Sequence, residues 1–284
     1  MAATPARKQE IRTLQALSPE EVIERAGDKL VVCEDLDALH RQFAEEIAAE
    51  IRTQNESGQP SRLILPVGPT GQYPYLLQLI ARDSVPLRDC WFFFMDEYCN
   101  EDGVVFPPEH PLSFQGIARR EFLDHLDSSY GLDSDHVIFP SEQNIHDLGS
   151  IIRNVGGIDT CYGGIGIHGH VAFNEPSDGI SRLGPRRVQL NNFTVTINAI
   201  RAQVGGNLEC FPREAYTLGM SQILGARHIR LYCRNGTPYD WANTVLRIAL
   251  FGTPGDDYPV THIRGKDYLI TTDQDTLASP QNLI

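Results

Sequence analysis

The chain has 284 residues, of which 41% are hydrophobic and 21% are charged, and these values are typical of a globular protein. Its formal net charge of -13 argues against general nucleic-acid binding, because a phosphate backbone requires a basic surface. The six cysteines are scattered, no apolar run is long enough to span a membrane, and the N-terminus lacks the apolar core of a secretory signal. We therefore expect a cytoplasmic protein with reduced thiols.

The N-terminal part of the chain predicts two helices around a strand. The first dozen residues are polar and predict a frayed terminus. Ser18 and Glu21 have the spacing of a capping box, which predicts a short helix that Gly27 can end. After a strand at residues 29–33, Asp35 can cap a long helix. The apolar positions at helical spacing on that helix are Leu36, Leu39, Phe43, Ile47 and Ile51.

A strand, a glycine turn and a helix follow at residues 62–80. The strand has a continuous apolar run, as a parallel strand buried on both faces should have. The backbone N–H groups of the turn after Gly68, together with the N-terminus of the helix, could form a cradle for an anion. A plain connection between a strand and a helix explains the same pattern, and from these residues alone we favour it.

Two carboxylates follow the next predicted buried strand, which covers residues 90–95. Asp96 and Glu97 would be costly to bury without partners. A carboxylate at this point could have a raised pKa and act as a base. An aspartate in a turn or at a helix cap is an equally good interpretation of the pattern.

Strands and helices alternate through the rest of the chain. We predict helices at residues 113–126, 145–155, 194–204 and 239–250, strands at residues 137–139, 229–233 and 268–271, and a strand, turn and short helix at residues 215–224. Residues 181–187 are irregular and basic. The alternation predicts one α/β domain with a mainly parallel sheet flanked by helices.

The stretch at residues 159–176 concentrates the groups that could do chemistry. A predicted strand runs into several glycines, which allow a ligand to approach the backbone closely. The polar side chains that follow are His168, His170, Asn174 and Glu175. Imidazole and carboxylate groups this close together suit proton transfer near neutral pH, or metal binding. Two histidines in a glycine turn are a weak zinc signal, so we expect a site without a metal.

Four motifs link this stretch to others in the chain. In chain order they are Pro69-Thr70-Gly71, Met95-Asp96-Glu97-Tyr98, His110-Pro111-x-Ser113-Phe114, and Gly163-Gly164-x-Gly166 continuing to Gly169-His170-x-Ala172-Phe173-Asn174-Glu175-Pro176. Together they resemble the glucosamine-6-phosphate deaminase family, within the wider group that includes 6-phosphogluconolactonases. The resemblance covers residues 30–275 in the same order. It implies a Rossmann-like domain at residues 28–284 and marks residues 1–27 as an N-terminal extension.

The resemblance implies an enzyme of amino-sugar metabolism that converts an aldose amino-sugar phosphate to a ketose phosphate and ammonia, with no metal and no organic cofactor. Asp96 resembles the carboxylate that moves a proton between C2 and C1 during enolisation. His170 resembles the imidazole that opens the sugar ring, and Glu175 resembles the acid that tunes it. The positions that match substrate-binding residues are Pro69, Thr70, Gly71, Gln72, Tyr73, Glu97, Gly164, Gly166, Gly169, Asn174 and Arg201.

The sequence departs from the family pattern in three places. His168 stands where the family usually has an aspartate, so the catalytic imidazole loses an anion that would stabilise its protonated form. Gln72 and Tyr73 replace a glycine and a threonine of the phosphate cradle. The phosphate-binding lysine is missing, and Trp241 or Ala242 stands in its place. The residues for proton transfer are thus better kept than the residues for phosphate.

Two alternatives compete with an isomerase and deaminase. A lactonase-like hydrolase would use a similar glycine and histidine segment, and a sugar-binding protein without catalysis would explain His168 and the changed cradle. We favour the isomerase and deaminase, because the Asp-Glu-Tyr and Asn-Glu-Pro motifs match that branch of the group. The expected partner is a small sugar or sugar phosphate. Trimers, hexamers and monomers occur among the relatives, so a homo-oligomer is one possible assembly.

Overall fold

The computed structural model describes residues 4–237 and 240–284, and its strands form two sheets. In chain order the strands are β1 (Leu30–Cys33), β2 (Ser61–Leu65), β3 (Cys90–Phe94), β4 (Asp96–Cys99), β5 (Val137–Ile138), β6 (Thr160–Gly164), β7 (Arg186–Gln189), β8 (Glu214–Thr217), β9 (His228–Tyr232) and β10 (Tyr268–Asp273). The α-helices are α1 (Pro5–Gln15), α2 (Pro19–Ala26), α3 (Leu36–Glu56), α4 (Tyr73–Asp83), α5 (Phe114–Glu121), α6 (Leu148–Asn154), α7 (Asn192–Arg201), α8 (Met220–Leu224), α9 (Ala242–Phe251) and α10 (Gln274–Leu277).

The larger sheet has seven strands in the order β1-β10-β9-β6-β2-β3-β5, and all its neighbouring strands pair in parallel. The chain moves outward from β2 to β3 and β5, and then crosses to the opposite side of β2 for β6, β9 and β10. The strand order therefore reverses between β2 and β6. Open α/β sheets bind their ligands beyond the carboxyl ends of the strands at such a point. The predicted α/β domain with a mainly parallel sheet is confirmed.

Alternating side chains of the central strands enter two cores on opposite faces of the sheet. On β2, Leu63 and Leu65 pack with α3 and α4, whereas Ile64 packs with α8 and α9 on the other face. On β3, Phe93 belongs to the same face as Ile64, and its two neighbours belong to the opposite face. Successive strand residues point to opposite faces, so a strand buried on both needs a continuous apolar run. This accounts for the two apolar runs in the sequence.

Capping residues set the starts of the early helices as predicted. The Ser18 hydroxyl accepts a hydrogen bond from the backbone N–H of Glu21, whose carboxylate accepts the backbone N–H of Ser18 in return. Gly27 ends α2, and Asp35 caps α3 by accepting the backbone N–H of Ala38 at 2.8 Å. These predictions are confirmed. The helix predicted at residues 239–250 is α9, while residue 239 itself lies outside the described residues.

The prediction of a frayed N-terminus is wrong for residues 5–12, which belong to α1. The Thr4 side chain caps this helix by accepting the backbone N–H of Arg7, and proline at the first helical position is already set for helical φ. Leu14 is buried, and α1 packs on α9. None of the described helices has the length and apolar character to cross a membrane. The status of residues 1–27 as an extension to the family remains a prediction.

The smaller sheet is antiparallel and has the order β4-β8-β7. Only Met95 separates β3 from β4, so the chain passes directly from one sheet to the other at Asp96. The sequence predicts irregular chain at residues 181–187 and offers a turn or cap as one of two interpretations of Asp96, so neither β4 nor β7 is predicted. Both strands are short and polar, and pairing with β8 rather than an apolar pattern makes them strands.

A buried ion cluster closes the amino ends of β2, β6 and β9. Asp159 is 2% exposed and accepts hydrogen bonds from the backbone N–H and the guanidinium of Arg62. Arg227 donates a further bond to the same carboxylate at 2.7 Å. Because each residue adjoins a different strand, the cluster fixes the spacing of three strands at the edge of the sheet opposite their carboxyl ends.

Asp159→Ala should lower the free energy of unfolding by about 3–5 kcal/mol, because it leaves the buried Arg62 without its anion. Urea unfolding followed by circular dichroism measures this change. The control is Asp83→Ala, which removes a carboxylate paired with Arg82 and Arg52 on the surface and should cost less than about 1 kcal/mol. Equal small losses in the two variants would contradict the importance of the buried cluster.

Candidate active site

A cavity of about 640 Å³ lies beyond the carboxyl ends of β2, β3, β6 and β9. Residues that directly follow each of these strands line it, as expected for the point where the strand order reverses. The predicted site residues among the lining are Pro69, Thr70, Asp96, Gly164, Gly166, His170 and Arg201. The predicted site residues outside the lining are Gly71, Gln72, Tyr73, Glu97, His168, Gly169, Asn174 and Glu175.

The loop after β2 presents its backbone and Thr70 to the cavity, while its two large side chains point away. Gln72 is fully buried, and its side-chain amide donates to the Pro69 carbonyl at 2.8 Å. Tyr73 is also buried, and its hydroxyl donates to the Pro66 carbonyl. Both side chains therefore support the loop from within the protein. The backbone of the loop therefore still faces the cavity, although Gln72 and Tyr73 replace the family's glycine and threonine.

His40 of α3 packs against the same loop, a contact that the sequence does not predict. A Cβ on Gly71 would lie 2.2 Å from the His40 ring, so glycine is required for this approach. Burial lowers the pKa of His40, and the positive charge of Arg234 lowers it further. The imidazole is thus neutral at pH 7 beside the loop after β2. A lone histidine on a helix gives no sequence signal for such a contact.

The Asp96 carboxylate lines the cavity although it is only 8% exposed. Burial raises its pKa to about 8, and the charge of Glu97 contributes to the rise. Glu97 accepts hydrogen bonds from the Ser113 hydroxyl and from three backbone N–H groups in β4 and the first turn of α5. These four donors oppose the effect of burial, which still raises the pKa of Glu97 to about 7. Glu97 anchors α5, and Asp96 faces the cavity.

The histidine turn, residues 166–170, carries the imidazole that faces Asp96's cavity. His168 has φ 62° and Gly169 has φ 63°, so the chain reverses sharply between β6 and His170. A Cβ on Gly166 would lie 2.0 Å from the His170 ring, so this glycine makes room for the imidazole. Burial lowers the pKa of His170 to about 4, with contributions from His168 and Arg201. His170 is therefore neutral at pH 7.

His168 itself turns away from the cavity. Its ring makes T-shaped contacts with the rings of Phe193 and Tyr258, whose centroids lie 4.8 and 6.5 Å away. It therefore does not take over the orienting hydrogen bond of the aspartate that the family usually has at this position. Instead it packs the histidine turn against neighbouring parts of the chain.

Asn174 and Glu175 shape the segment after the histidine turn. The buried Asn174 amide donates to the carbonyls of Val171 and Leu218, and its oxygen accepts a hydrogen bond from Arg186. Glu175 accepts the backbone N–H of Asn191, the N-cap of α7, at 2.8 Å. No hydrogen bond joins Glu175 to His170 in the described part of the chain. A direct catalytic role for Glu175 remains a prediction.

Two arginines give one end of the cavity a positive charge. The Arg201 guanidinium lies 4.0 Å from the centre of the Trp241 ring and 3.6 Å from Asp240. Arg234, the second residue after β9, lines the same cavity. Burial and then Arg234 lower the pKa of Arg201 to about 10, so it stays charged at pH 7. Arg234 is not among the predicted site residues, although a cation just after a predicted central strand is a usable signal.

The rest of the cavity wall is largely apolar and comes from α5, α7 and the segment after α7. Its apolar residues are Leu112, Phe114, Ile117, Phe173, Ile197, Val204 and Phe211. None of these residues is among the predicted site residues, although Phe114 and Phe173 belong to the family motifs. Among the described residues, no group of three or more His, Cys, Asp or Glu side chains is placed to hold a metal ion.

No protein-family model matches the chain, but individual proteins do. The chain is 31% identical over 218 residues to glucosamine-6-phosphate deaminase of Bacteroides fragilis, and the match covers 72% of this chain and 74% of that protein. It is 30% identical over 213 residues to glucosamine-6-phosphate deaminase of Caenorhabditis elegans, with coverage of 72% and 74%.

Solved structures share the fold. A monomeric glucosamine-6-phosphate deaminase matches with a TM-score of 0.75 at 22% identity, over 87% of this chain and 98% of that one. The 6-phosphogluconolactonase from Trypanosoma cruzi matches with a TM-score of 0.62 at 17% identity, over 87% and 95%. Fold and cavity thus define a Rossmann-like α/β protein of the kind shared by these two. The identity to the Bacteroides and Caenorhabditis proteins goes further: the chain belongs to the glucosamine-6-phosphate deaminase family.

Gly166→Ala should displace the His170 ring, because the backbone at φ -93° accepts alanine but the new Cβ collides with the imidazole. A ring pushed towards the open cavity regains water, so the pKa of His170 should rise from about 4 towards its ordinary value of about 6.5. NMR titration of the imidazole signals measures this. Gly184→Ala, where a Cβ meets only an ordinary contact at 3.9 Å, is the control. An unchanged His170 titration in Gly166→Ala would contradict the described packing.

Proposed function

We propose that the protein converts an aldose amino-sugar phosphate to a ketose phosphate with release of ammonia. One observation carries the proposal. Asp96, His170, Arg201 and Arg234 come from four separate parts of the sequence and line one cavity. A base, a second proton-transfer group and a doubled positive charge are what the isomerisation of a phosphorylated sugar requires. The family relatives named glucosamine-6-phosphate deaminase support the same reaction.

Asp96 is the group suited to enolisation. It takes the proton from C2 of the open-chain sugar and returns it to C1, while O1 gains a proton and the amino group on C2 loses one, so that the C1 aldehyde becomes a hydroxymethyl group and C2 becomes an imine. Water then adds to this imine, and ammonia leaves from C2 as the ketone forms. A buried carboxylate with a raised pKa is a stronger base than an exposed one, which suits removal of a weakly acidic C–H proton.

His170 is the group suited to ring opening. Its neutral imidazole can take the proton of the O1 hydroxyl while the ring C1–O5 bond breaks, and it can then deliver a proton to O5. A pKa of about 4 keeps the ring neutral through the physiological pH range, so its unprotonated form is always available, but it also makes His170 a weaker base than an ordinary histidine. Because His168 replaces the usual aspartate and points away, the imidazolium formed during this step lacks an anionic partner on the histidine turn.

Arg201, Arg234 and Thr70 are the groups suited to the phosphate. Trp241 stands near the place of the missing lysine, and it holds the Arg201 guanidinium by stacking. Arg234 supplies a second cation from the end of β9. Charge-assisted hydrogen bonds from guanidinium groups are strong and directional, so two arginines are a sufficient replacement for an arginine and a lysine.

Asp96→Asn should lower kcat for ammonia release from glucosamine 6-phosphate by about 10²–10⁴-fold, because the amide cannot take the C2 proton. In the unchanged protein, kcat/KM should rise with pH through about 8, since Asp96 acts as a base only when ionised. Coupled assays of ammonia and ketose across that range measure both effects. Asp124→Asn, at an exposed aspartate remote from the cavity, is the control. Undiminished turnover by Asp96→Asn, or hydrolysis of 6-phosphogluconolactone instead of deamination, would contradict the proposal.

Arg234→Gln should raise KM for glucosamine 6-phosphate about ten- to a hundredfold with little change in kcat, because it removes a charge-assisted hydrogen bond made equally in ground and transition states. The KM for unphosphorylated glucosamine should stay the same in this variant and in Arg201→Gln. Arg230→Gln serves as the control, because Arg230 lies on β9, four residues before Arg234, and pairs with Asp267 outside the cavity lining. Equal effects on the phosphorylated and unphosphorylated sugars would place the arginines outside the phosphate site.

A further inference from the structure

The histidine turn rests on the segment at residues 253–263. A Cβ on Gly169 would lie 2.8 Å from Val260 and 3.4 Å from the Tyr258 ring, so the turn has no free space on this side. The Tyr258 ring also meets the His168 ring edge-on, with ring centroids 6.5 Å apart. Tyr258 and Val260 therefore form the wall against which the backbone of the turn is set. The position of His170 depends on that wall.

Helix α1 holds this segment in place from the outside. Arg7 donates to both oxygens of Asp257, at 2.8 and 3.0 Å, and to the Thr253 carbonyl at 3.0 Å. Glu10, one turn further along α1, accepts the backbone N–H of Thr253 at 2.7 Å and also bonds Arg7. The forked contact between a guanidinium and a carboxylate is the strongest and most directional type of ion pair in proteins.

The same guanidinium reaches the wall itself. Arg7 lies 5.4 Å from the centre of the Tyr258 ring and keeps only 10% of its side-chain exposure. A partly buried ion pair is weakly screened by solvent, so its energy depends on its geometry. Every hydrogen bond from the Arg7 side chain within the described residues goes either to Glu10 on its own helix or to residues 253–257. Among the described residues, the Arg7 side chain therefore hydrogen-bonds outside its own helix only with residues 253–257.

We propose that α1 sets the geometry of the active site, with Arg7 as a positioning residue that acts through Asp257 and Tyr258 on the histidine turn. The inference rests on the function proposed above, because it assigns the turn to catalysis. It gives the N-terminal helices a task that the sequence pattern alone does not suggest. A small displacement of a catalytic group is enough to slow a reaction considerably, even when the substrate still binds.

Arg7→Ala should lower kcat for glucosamine 6-phosphate about tenfold and change KM less than about twofold, since the phosphate and sugar contacts stay in place. Arg7→Lys keeps the charge but not the forked contact, so its kcat should lie between those of Arg7→Ala and the unchanged protein. Tyr258→Ala should resemble Arg7→Ala, whereas Tyr258→Phe keeps the ring and should match the unchanged protein. Arg12→Ala removes an exposed cation from the same helix and is the control. A loss of thermal stability with unchanged kcat in Arg7→Ala would mean that the contact is only structural.

Hydrogen–deuterium exchange tests the inference without relying on turnover. Backbone exchange in peptides covering residues 164–171 should rise several-fold in Arg7→Ala and stay unchanged in Arg12→Ala, because the loosened wall frees the histidine turn. If exchange rises in Arg7→Ala but neither the unchanged protein nor any variant releases ammonia from the sugar phosphate, the proposed function is wrong. The coupling between α1 and the histidine turn then still holds. If exchange is unchanged, the inference is wrong whatever the activity.

Discussion

Asp96 is buried between two sheets, and much of the surrounding structure depends on keeping a carboxylate there. The chain leaves the parallel sheet at Met95 and enters the antiparallel sheet at Asp96 without a loop. A second carboxylate follows at once, and one hydrogen-bond donor in β4 and three at the start of α5 satisfy it. Glu97 thereby fixes α5 beside the cavity, and its charge adds to the effect of burial on the pKa of Asp96. One pair of residues sets the architecture and the chemistry together.

Under the proposed function, the phosphate end of the cavity keeps its charge with changed residues. Arg234, just after a central strand, takes the role proposed for it in place of the family's lysine. Trp241 stands near the position of the family's lysine, and the Arg201 guanidinium stacks on the face of its indole ring. An arginine held on an aromatic ring loses less conformational entropy on binding phosphate than a free side chain does. Under the proposed function, this stacking favours a more rigid phosphate site.

The sequence allowed the central elements to be predicted, because long apolar patterns reflect burial on both faces of β2 and β3. It also indicated Asp96 and His170, which stand where strands end. It could not tell that Gln72 and Tyr73 point away from the cavity, since a loop sequence does not specify side-chain direction. Contacts across distant parts of the chain, such as His40 on Gly71, leave no local pattern. For the same reason β4 and β7, which depend on their partner strand, escaped prediction.

The two ends of the chain meet in this fold. Strand β1 pairs only with β10 among the described strands, and Arg7 bonds a residue 250 positions away. During synthesis on the ribosome, β1 therefore waits as an unpaired strand until residues 268–273 have been made, and α1 lacks its docking surface until residues 242–257 have been made. Unpaired strands invite association with other chains, so β1 is open to wrong pairing during that interval.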